Sequence, residues 1–187
     1  SSADLEAATA GIVASAYGFQ GQKCSACSRV VAVADVHDRL LEQVTARTWE
    51  LRVGPARDPA TQVAALIDQA QYEKVLRYIE IGRGEGRLVC GGEPGDPAGY
   101  YVQPTIFADV APDARIAQEE IFGPVVAFLR APDFQQAIAI ANSTQYGLTG
   151  AVYARDRARL EYARREFHVG NLYLNRKCTG ALVGVHT

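Results

Sequence analysis

The sequence has little of what marks membrane or nucleic-acid-binding proteins. It contains no Met, one Trp and three His, and acids and bases are mixed along the chain to a formal net charge of −2. No apolar run approaches the roughly 18 residues that a membrane-spanning helix needs. No basic patch interleaved with aromatic residues appears either. We therefore expect neither a membrane nor a nucleic acid as a partner.

Cysteine is scarce as well. The chain has four cysteines in 187 residues, which is too few for a disulfide scaffold. Reduced thiols in a cytoplasmic protein are the expectation, and the N-terminus lacks the basic start and apolar core of a signal peptide. Because the chain starts at Ser1 without a Met, we expect either processing or a fragment of a longer protein.

Hydrophobic residues make up 48% of the chain, enough for the core of one domain. From Val125 onward, strand patterns alternate with helix patterns, which favours parallel strands joined by right-handed crossovers. The sequence therefore predicts one α/β domain over residues 1–187. In this part the strands are predicted at residues 125–129, 150–154 and 170–175, and the helices at 133–142 and 156–167.

The first part of the chain carries three more helix patterns and three more strand patterns. Asp35 and Asp68 stand where helix N-caps are expected, and the glycines from Gly82 to Gly86 are expected to end the helix that Asp68 begins. Pro104 falls within the last strand pattern and so places that strand at a sheet edge. The strands are predicted at residues 29–34, 87–90 and 100–107, and the other helices at 2–17 and 35–51.

The most reactive local chemistry lies in residues 18–29, Gly-Phe-Gln-Gly-Gln-Lys-Cys-Ser-Ala-Cys-Ser-Arg. Two glycines precede Cys24, and cations stand at Lys23 and Arg29. Amide N–H groups at a turn that precedes a helix start favour a thiolate. Cys24 is therefore a candidate nucleophile.

Cys24 and Cys27 also have the C-x-x-C spacing of zinc and redox sites. A zinc site needs a second pair of ligands, which the remaining cysteines and histidines do not supply at suitable spacing, so we predict no metal site. A thioredoxin-like site follows a strand, whereas this motif follows a helix. The alternative, a small buried hydrophobic residue, suits Cys90 and Cys27 better than Cys24.

Three further stretches are candidates for binding sites. The Gly82–Gly86 run lacks the third glycine of a dinucleotide-binding loop and follows a helix, so it is interpreted as a helix end. Residues 119–124, Glu-Glu-Ile-Phe-Gly-Pro, suit an exposed acidic turn with Phe122 anchored in the core. Residues 175–184 form a loop after the last strand, where ligands of open α/β sheets tend to bind.

Together these stretches resemble the aldehyde dehydrogenase family. The motifs Gly-Gln-Lys-Cys24, Glu-Glu120-Ile-Phe122-Gly-Pro and Gly-Asn-Leu-Tyr-Leu-Asn175 occur in that family's order and spacing. The resemblance covers essentially the whole chain and implies the family's catalytic domain, an open, mostly parallel twisted sheet with helices on both faces. Residues 18–29 and 175–184 also resemble the branch that oxidises L-glutamate γ-semialdehyde in proline degradation.

The resemblance implies a role for each matched residue. Cys24 is the counterpart of the nucleophile that attacks the aldehyde, and its thioester intermediate is hydrolysed after hydride passes to NAD. The Cys24 N–H is one oxyanion donor. Glu120 matches the glutamate that binds the nicotinamide ribose, and Phe122 the aromatic at the nicotinamide. The residues that match the cradle for the substrate's α-carboxylate are Ser25, Gly180 and Ala181.

The chain departs from the family at both ends. The domain that binds most of the NAD, with the hydrolytic base and an oxyanion asparagine, has no counterpart here, and neither does the family's carboxyl tail. We therefore expect a fragment that lacks dehydrogenase activity alone, from a homo-oligomeric parent in which the last strand pairs with a neighbouring subunit. A dehydrogenase for another aldehyde and a non-catalytic module that reuses the fold remain alternatives.

Overall fold

The computed structural model describes residues 3–180, whose strands form two sheets. In the larger sheet, of order β1-β4-β3-β2, the first three strands are parallel, and β2 is antiparallel to β3. The smaller sheet is a parallel pair, β5 and β6. The strands are β1 (Arg29–Val33), β2 (Arg87–Cys90), β3 (Thr105–Ala108), β4 (Val125–Ala131), β5 (Thr149–Val152) and β6 (Asn171–Leu174).

Helices cover both faces of the larger sheet. In β4, Val126 and Phe128 pack in the same core cluster as α1 and α2, whereas Val125, Ala127 and Leu129 pack with α3 and α4. Since successive side chains of a strand point to opposite faces, one apolar strand supplies both cores. The helices are α1 (Leu5–Tyr17), α2 (Ala34–Trp49), α3 (Gln69–Glu85), α4 (Arg115–Gln118), α5 (Phe134–Asn142) and α6 (Arg157–Glu166).

The α/β class, the mostly parallel pairing and the helices on both faces are confirmed. The strands are divided between two sheets, however, and not gathered in one. Within residues 3–180, no helix combines the length and the apolar composition needed to cross a membrane.

Aspartates begin four of the six α-helices in residues 3–180. The side chain of Asp68 accepts a hydrogen bond from the Gln71 backbone N–H at 2.8 Å, and Asp4, Asp133 and Asp156 act in the same way on their own helices. The prediction of Asp35 as an N-cap was wrong, because α2 already begins at Ala34 and Asp35 lies in its first turn. There its negative charge still favours the helix N-terminus.

The strand predicted over residues 100–107 is shorter and lies elsewhere in the sheet. β3 begins at Thr105, directly after Pro104, and is paired on both sides. The edge position inferred from Pro104 was therefore wrong. The proline precedes the ladder, so its missing N–H removes no hydrogen bond from it.

The end of α3 also differs from the prediction. Gly82 and Gly84 lie inside the helix, which ends only at Gly86. A Cβ atom on Gly82 would lie 2.6 Å from the ring of Phe107, a fully buried side chain. Gly82 is therefore a contact position that lets the helix approach β3, and it does not stop the helix.

This difference between two glycines of one helix gives a matched test. We expect Gly82→Ala to be less stable than Gly84→Ala by about 1–3 kcal/mol, because the new methyl group overpacks the core against Phe107. Gly84 is exposed with nothing within 4 Å of its Cβ position, so Gly84→Ala should stabilise by about 0.5–1 kcal/mol. Urea unfolding of both variants measures the difference. Equal stabilities would contradict the contact assigned to Gly82.

Candidate active site

The thiol of Cys24 is exposed on a turn between α1 and β1. The Ala26 N–H donates to the Lys23 carbonyl at 3.0 Å and closes this turn. The element that follows is the strand β1, so the helix start expected near Cys24 was wrong. The turn itself, which Cys24 was predicted to occupy, is confirmed.

A run of residues with left-handed backbone precedes Cys24 and sets the direction of the chain there. Phe19 and Gln20 have φ values of 55° and 59°, and Gly21 follows with a φ of 70°, so three consecutive residues are left-handed. Such a conformation costs free energy at non-glycine residues and persists only where the surroundings enforce it. Here the Lys23 ammonium lies 4.3 Å from the centroid of the Phe19 ring, a distance at which cation–π attraction contributes.

A second strained turn, at residues 120–123, lies before β4. Phe122 has a φ of 58°, and the side-chain amide of Gln71 donates to the Ile121 carbonyl at 2.9 Å and to the Phe122 carbonyl at 2.8 Å. Gly123 packs on Val75, with only 2.4 Å between its Cβ position and a Val75 methyl group. Helix α3 therefore holds this turn through a hydrogen-bonded amide and a close packing contact.

The two turns meet at a pair of glycines. A Cβ atom on Gly21 would lie 2.2 Å from the Gly123 carbonyl oxygen. No side chain fits at that distance, and the left-handed φ of Gly21 also favours glycine. The backbone that leads to Cys24 is thus seated directly on the turn that carries Glu120 and Phe122.

A cleft of about 450 Å³ extends from these turns between the two sheets. Cys24, Glu120 and Phe122 all border it, together with residues of β1 and β5. Glu120 is exposed and Phe122 is half-buried. The structure thus brings the predicted nucleophile and both predicted cofactor-binding residues to one cavity.

The two adjacent glutamates differ in their surroundings. Glu119 also borders the cleft, but its carboxylate accepts hydrogen bonds from Arg115 and from the Tyr78 hydroxyl. Arg115, and then Tyr78, lower the pKa of Glu119 to about 2. Glu119 is thus ionised at neutral pH and occupied by its own hydrogen bonds, whereas the carboxylate of Glu120 is exposed beside the cleft.

The structure describes two of the three residues predicted to hold the substrate's carboxylate, Ser25 and Gly180. The Ser25 carbonyl accepts hydrogen bonds from the Thr149 hydroxyl at 3.5 Å and the Cys178 thiol at 3.6 Å. The loop after β6 therefore reaches the Cys24 turn. Gly180 is exposed with a φ of 91°, but neither it nor Ser25 borders the cleft, and Ala181 lies outside the described residues.

The remaining cysteines have distinct environments. Cys90 is 3% exposed, and burial raises the pKa of its thiol to about 11, in line with the packing role predicted for it. Cys27 is half-buried and its thiol donates to the Arg29 carbonyl at 3.6 Å, while the neighbouring Cys178, together with burial, raises the pKa of the Cys27 thiol. Across residues 3–180, no group of three or more His, Cys, Asp or Glu side chains is arranged to hold a metal ion.

Gln71 and Thr149 were missed by the sequence reasoning. Both act on backbone carbonyls far away in the sequence, at Phe122 and Ser25 respectively. The Asp68 N-cap signal did place Gln71 in the first turn of a helix, but no local pattern indicates which carbonyls its side chain will reach.

Comparison with known proteins matches the chain to one family and to several named relatives. The sequence profile described as "Aldehyde dehydrogenase family" matches residues 1–186. A protein named 1-pyrroline-5-carboxylate dehydrogenase from Geobacillus sp. (strain WCH70) is 62% identical over 182 residues, which are 97% of this chain and 35% of that protein. The protein of the same name from Bacillus subtilis (strain 168) is 56% identical, with the same coverage of 97% and 35%.

A solved structure that is similar to this chain carries the same protein name as these relatives. The 1-pyrroline-5-carboxylate dehydrogenase from Thermus, determined with bound NAD, superposes with a TM-score of 0.97 at 55% identity. The match covers 99% of this chain and 36% of that chain. The chain thus spans little more than a third of the length of these relatives.

The grip of Gln71 on the Ile121–Phe122 turn can be tested by mutation. Gln71→Met keeps the side-chain length but removes both N–H donors, so we expect it to lower the free energy of unfolding by about 1–3 kcal/mol. The control is Gln69→Met on the same helix turn, where the exposed amide donates only to Glu73 at 2.7 Å. That change should stay within about 0.5 kcal/mol. Similar losses in both variants, measured by urea unfolding, would argue against the assigned grip.

Proposed function

Since the chain belongs to the aldehyde dehydrogenase family, we propose that it carries the nucleophile of an NAD-dependent dehydrogenase for L-glutamate γ-semialdehyde. This aldehyde, the open form of 1-pyrroline-5-carboxylate, is oxidised to L-glutamate in proline degradation. The observation that carries the proposal is the meeting of Cys24, Glu120 and Phe122 at one cleft. The names of the relatives supply the substrate.

In the proposed reaction the Cys24 thiolate adds to the aldehyde carbon, and the carbonyl oxygen becomes the oxyanion of a thiohemiacetal. The Cys24 backbone N–H donates to that oxyanion. NAD, when bound, accepts the hydride from this carbon. Cys24 then holds the acyl group as a thioester, which water hydrolyses to release glutamate and regenerate the thiol. A thiolate suits this route because it adds readily and leaves readily.

Glu120 and Phe122 suit the nicotinamide end of the cofactor. The exposed carboxylate of Glu120 is an acceptor that the ribose hydroxyls can use, and the half-buried Phe122 offers an apolar surface at the same turn. Because the Gln71 amide holds this turn, both groups are positioned before the cofactor binds. Most of the contacts to NAD are proposed to come from a domain outside residues 1–187.

Ser25, Gly180 and Ala181 are proposed to hold the substrate's α-carboxylate. The hydrogen bond from the Cys178 thiol to the Ser25 carbonyl draws the loop after β6 to the residue that follows the nucleophile. The left-handed backbone of Gly180, two residues after Cys178, is typical of turns that present successive N–H groups to an anion. A hydroxyl with such amides binds a carboxylate without an arginine.

The four thiols are free, which supports a reducing, cytoplasmic location for the protein. Residues 1–187 are proposed to form the nucleophile-bearing catalytic domain of a longer enzyme and to be inactive alone. Robust NADH formation by residues 1–187 with NAD and glutamate semialdehyde would contradict that part of the proposal.

The function is tested in the whole reading frame that encodes this chain, because the relatives are longer. We expect NADH formation from glutamate semialdehyde, and a loss on the order of 10⁴-fold or more in Cys24→Ala, the scale seen when a covalent nucleophile is removed. Cys90→Ala, at a buried thiol away from the cleft, is the matched control and should retain activity. Faster oxidation of an aldehyde without a carboxylate would favour another substrate.

The reactivity of the thiols separates an enzyme from a non-catalytic module. Iodoacetamide near neutral pH should label Cys24 in residues 1–187 before Cys90 and Cys178, both of which are buried. The order of labelling is read by mass spectrometry of tryptic peptides. Uniformly slow labelling of all four cysteines would support the module.

We also propose that β6 takes part in a homo-oligomer. Among the described strands it pairs only with β5, so its other edge presents backbone N–H and C=O groups that a second copy can use. Light scattering should show association that rises with concentration. A monodisperse monomer at high concentration would contradict this.

A further inference from the structure

Cys27 and Cys178 form a pair of thiols that the proposed reaction does not use. They come from opposite ends of the chain, Cys27 from the segment that enters β1 and Cys178 from the loop after β6. The two side chains are close enough for each to be the main influence on the pKa of the other. Each also lies 3.6 Å from a backbone carbonyl, Cys27 from that of Arg29 and Cys178 from that of Ser25.

The two thiols are electrostatically unequal. The neighbouring Cys27 thiol, more than any other group, lowers the pKa of Cys178 to about 7, against the opposing effect of burial. The proximity of Cys178, together with burial, raises the pKa of Cys27. Near neutral pH a fraction of the Cys178 side chains is therefore ionised, while Cys27 keeps its proton. This is the combination in which one sulfur reacts with an oxidant and its neighbour resolves the product.

The pair lies at the wall of the cleft. Cys27 and Cys178 both border the cavity that Cys24 borders, and although Cys178 is only 8% exposed, a reagent as small as hydrogen peroxide can approach it from there. Cys90 provides the contrast within this chain. Its thiol is 3% exposed, lies 3.6 Å from the Pro104 carbonyl, and is absent from the lining of the cleft.

We propose that Cys27 and Cys178 are a redox-modification site that hydrogen peroxide or a small organic hydroperoxide converts to an intramolecular disulfide. The Cys178 thiolate attacks the peroxide, the O–O bond breaks, and water or an alcohol leaves with one proton, which gives a sulfenic acid at Cys178. The Cys27 sulfur then attacks Cys178, the S–O bond breaks, and the hydroxide leaves as water with the Cys27 proton. Two thiols lose two electrons and the peroxide gains them.

The disulfide would join the loop after β6 to the segment that carries the nucleophile. The Ser25 carbonyl would lose the Cys178 donor and keep only the Thr149 hydroxyl of its two side-chain partners. The site is independent of the proposed reaction, because it requires neither NAD nor an aldehyde and does not include Cys24.

The test oxidises residues 1–187 with hydrogen peroxide at neutral pH, blocks the remaining thiols with iodoacetamide and maps tryptic peptides by mass. Cleavage after Lys23, Arg29 and Lys177 releases residues 24–29 and residues 178–187. We expect these two peptides to be linked, two hydrogen atoms lighter than their sum, and separated by dithiothreitol. Because residues 24–29 contain two cysteines, Cys24→Ser identifies the partner and should retain the link.

Two further variants complete the experiment. Cys178→Ser should lose the link, whereas the matched Cys90→Ser should keep it. Cys27→Ser should leave a sulfenic acid at Cys178, which dimedone captures. A disulfide inside residues 24–29, a link between two chains, or no link in the unmodified sequence would each overturn the proposal. The unmodified chain and Cys24→Ser decide the question even where the other variants fail to fold.

Discussion

The close approach of Gly21 to the Gly123 carbonyl is the contact on which the site depends. It joins the backbone that leads to Cys24 to the turn that carries Glu120 and Phe122, with a spacing of 2.2 Å at the Gly21 Cβ position that excludes every side chain. The same turn is held by α3 through Gln71 and Val75. Helix α3 therefore holds the turn of Glu120 and Phe122 against the backbone that leads to Cys24, the residues proposed to bind the cofactor and to act as the nucleophile.

Strand pairing explains why the two turns meet at all. β1 and β4 run parallel, with Arg29 opposite Ala127, so the segments that precede them emerge at the same edge of the sheet. That edge is the amino end of the strands, whereas ligands in open α/β sheets tend to lie at the carboxyl end. At the carboxyl edge a strand leads to a helix start, whereas at this edge the chain enters each strand from a tight turn. The left-handed backbones of Phe19, Gln20 and Phe122 belong to these turns.

The sequence contained enough to predict most of the helices and strands, but not the contacts among them. Asp68 and Asp133 mark helix starts through local hydrogen bonds, so a single sequence reveals them. Gly82 was misjudged because its role is to admit the Phe107 ring, and Pro104 because it precedes its strand. The family resemblance supplied the predicted roles of Cys24, Glu120 and Phe122, while the division into two sheets and the contact of Gln71 with the 120–123 turn depend on tertiary packing.

The cysteines show most clearly how spacing along the chain and proximity in space diverge. The C-x-x-C spacing joins Cys27 to Cys24, yet the side chain that most affects the pKa of the Cys27 thiol is that of Cys178. Cys24 is left exposed on its own turn, as a nucleophile requires, because Cys27 points into the contact between the β1 segment and the β6 loop. Both residues of the motif border the cleft, but Cys27 also lies at the contact between the two segments that shape it.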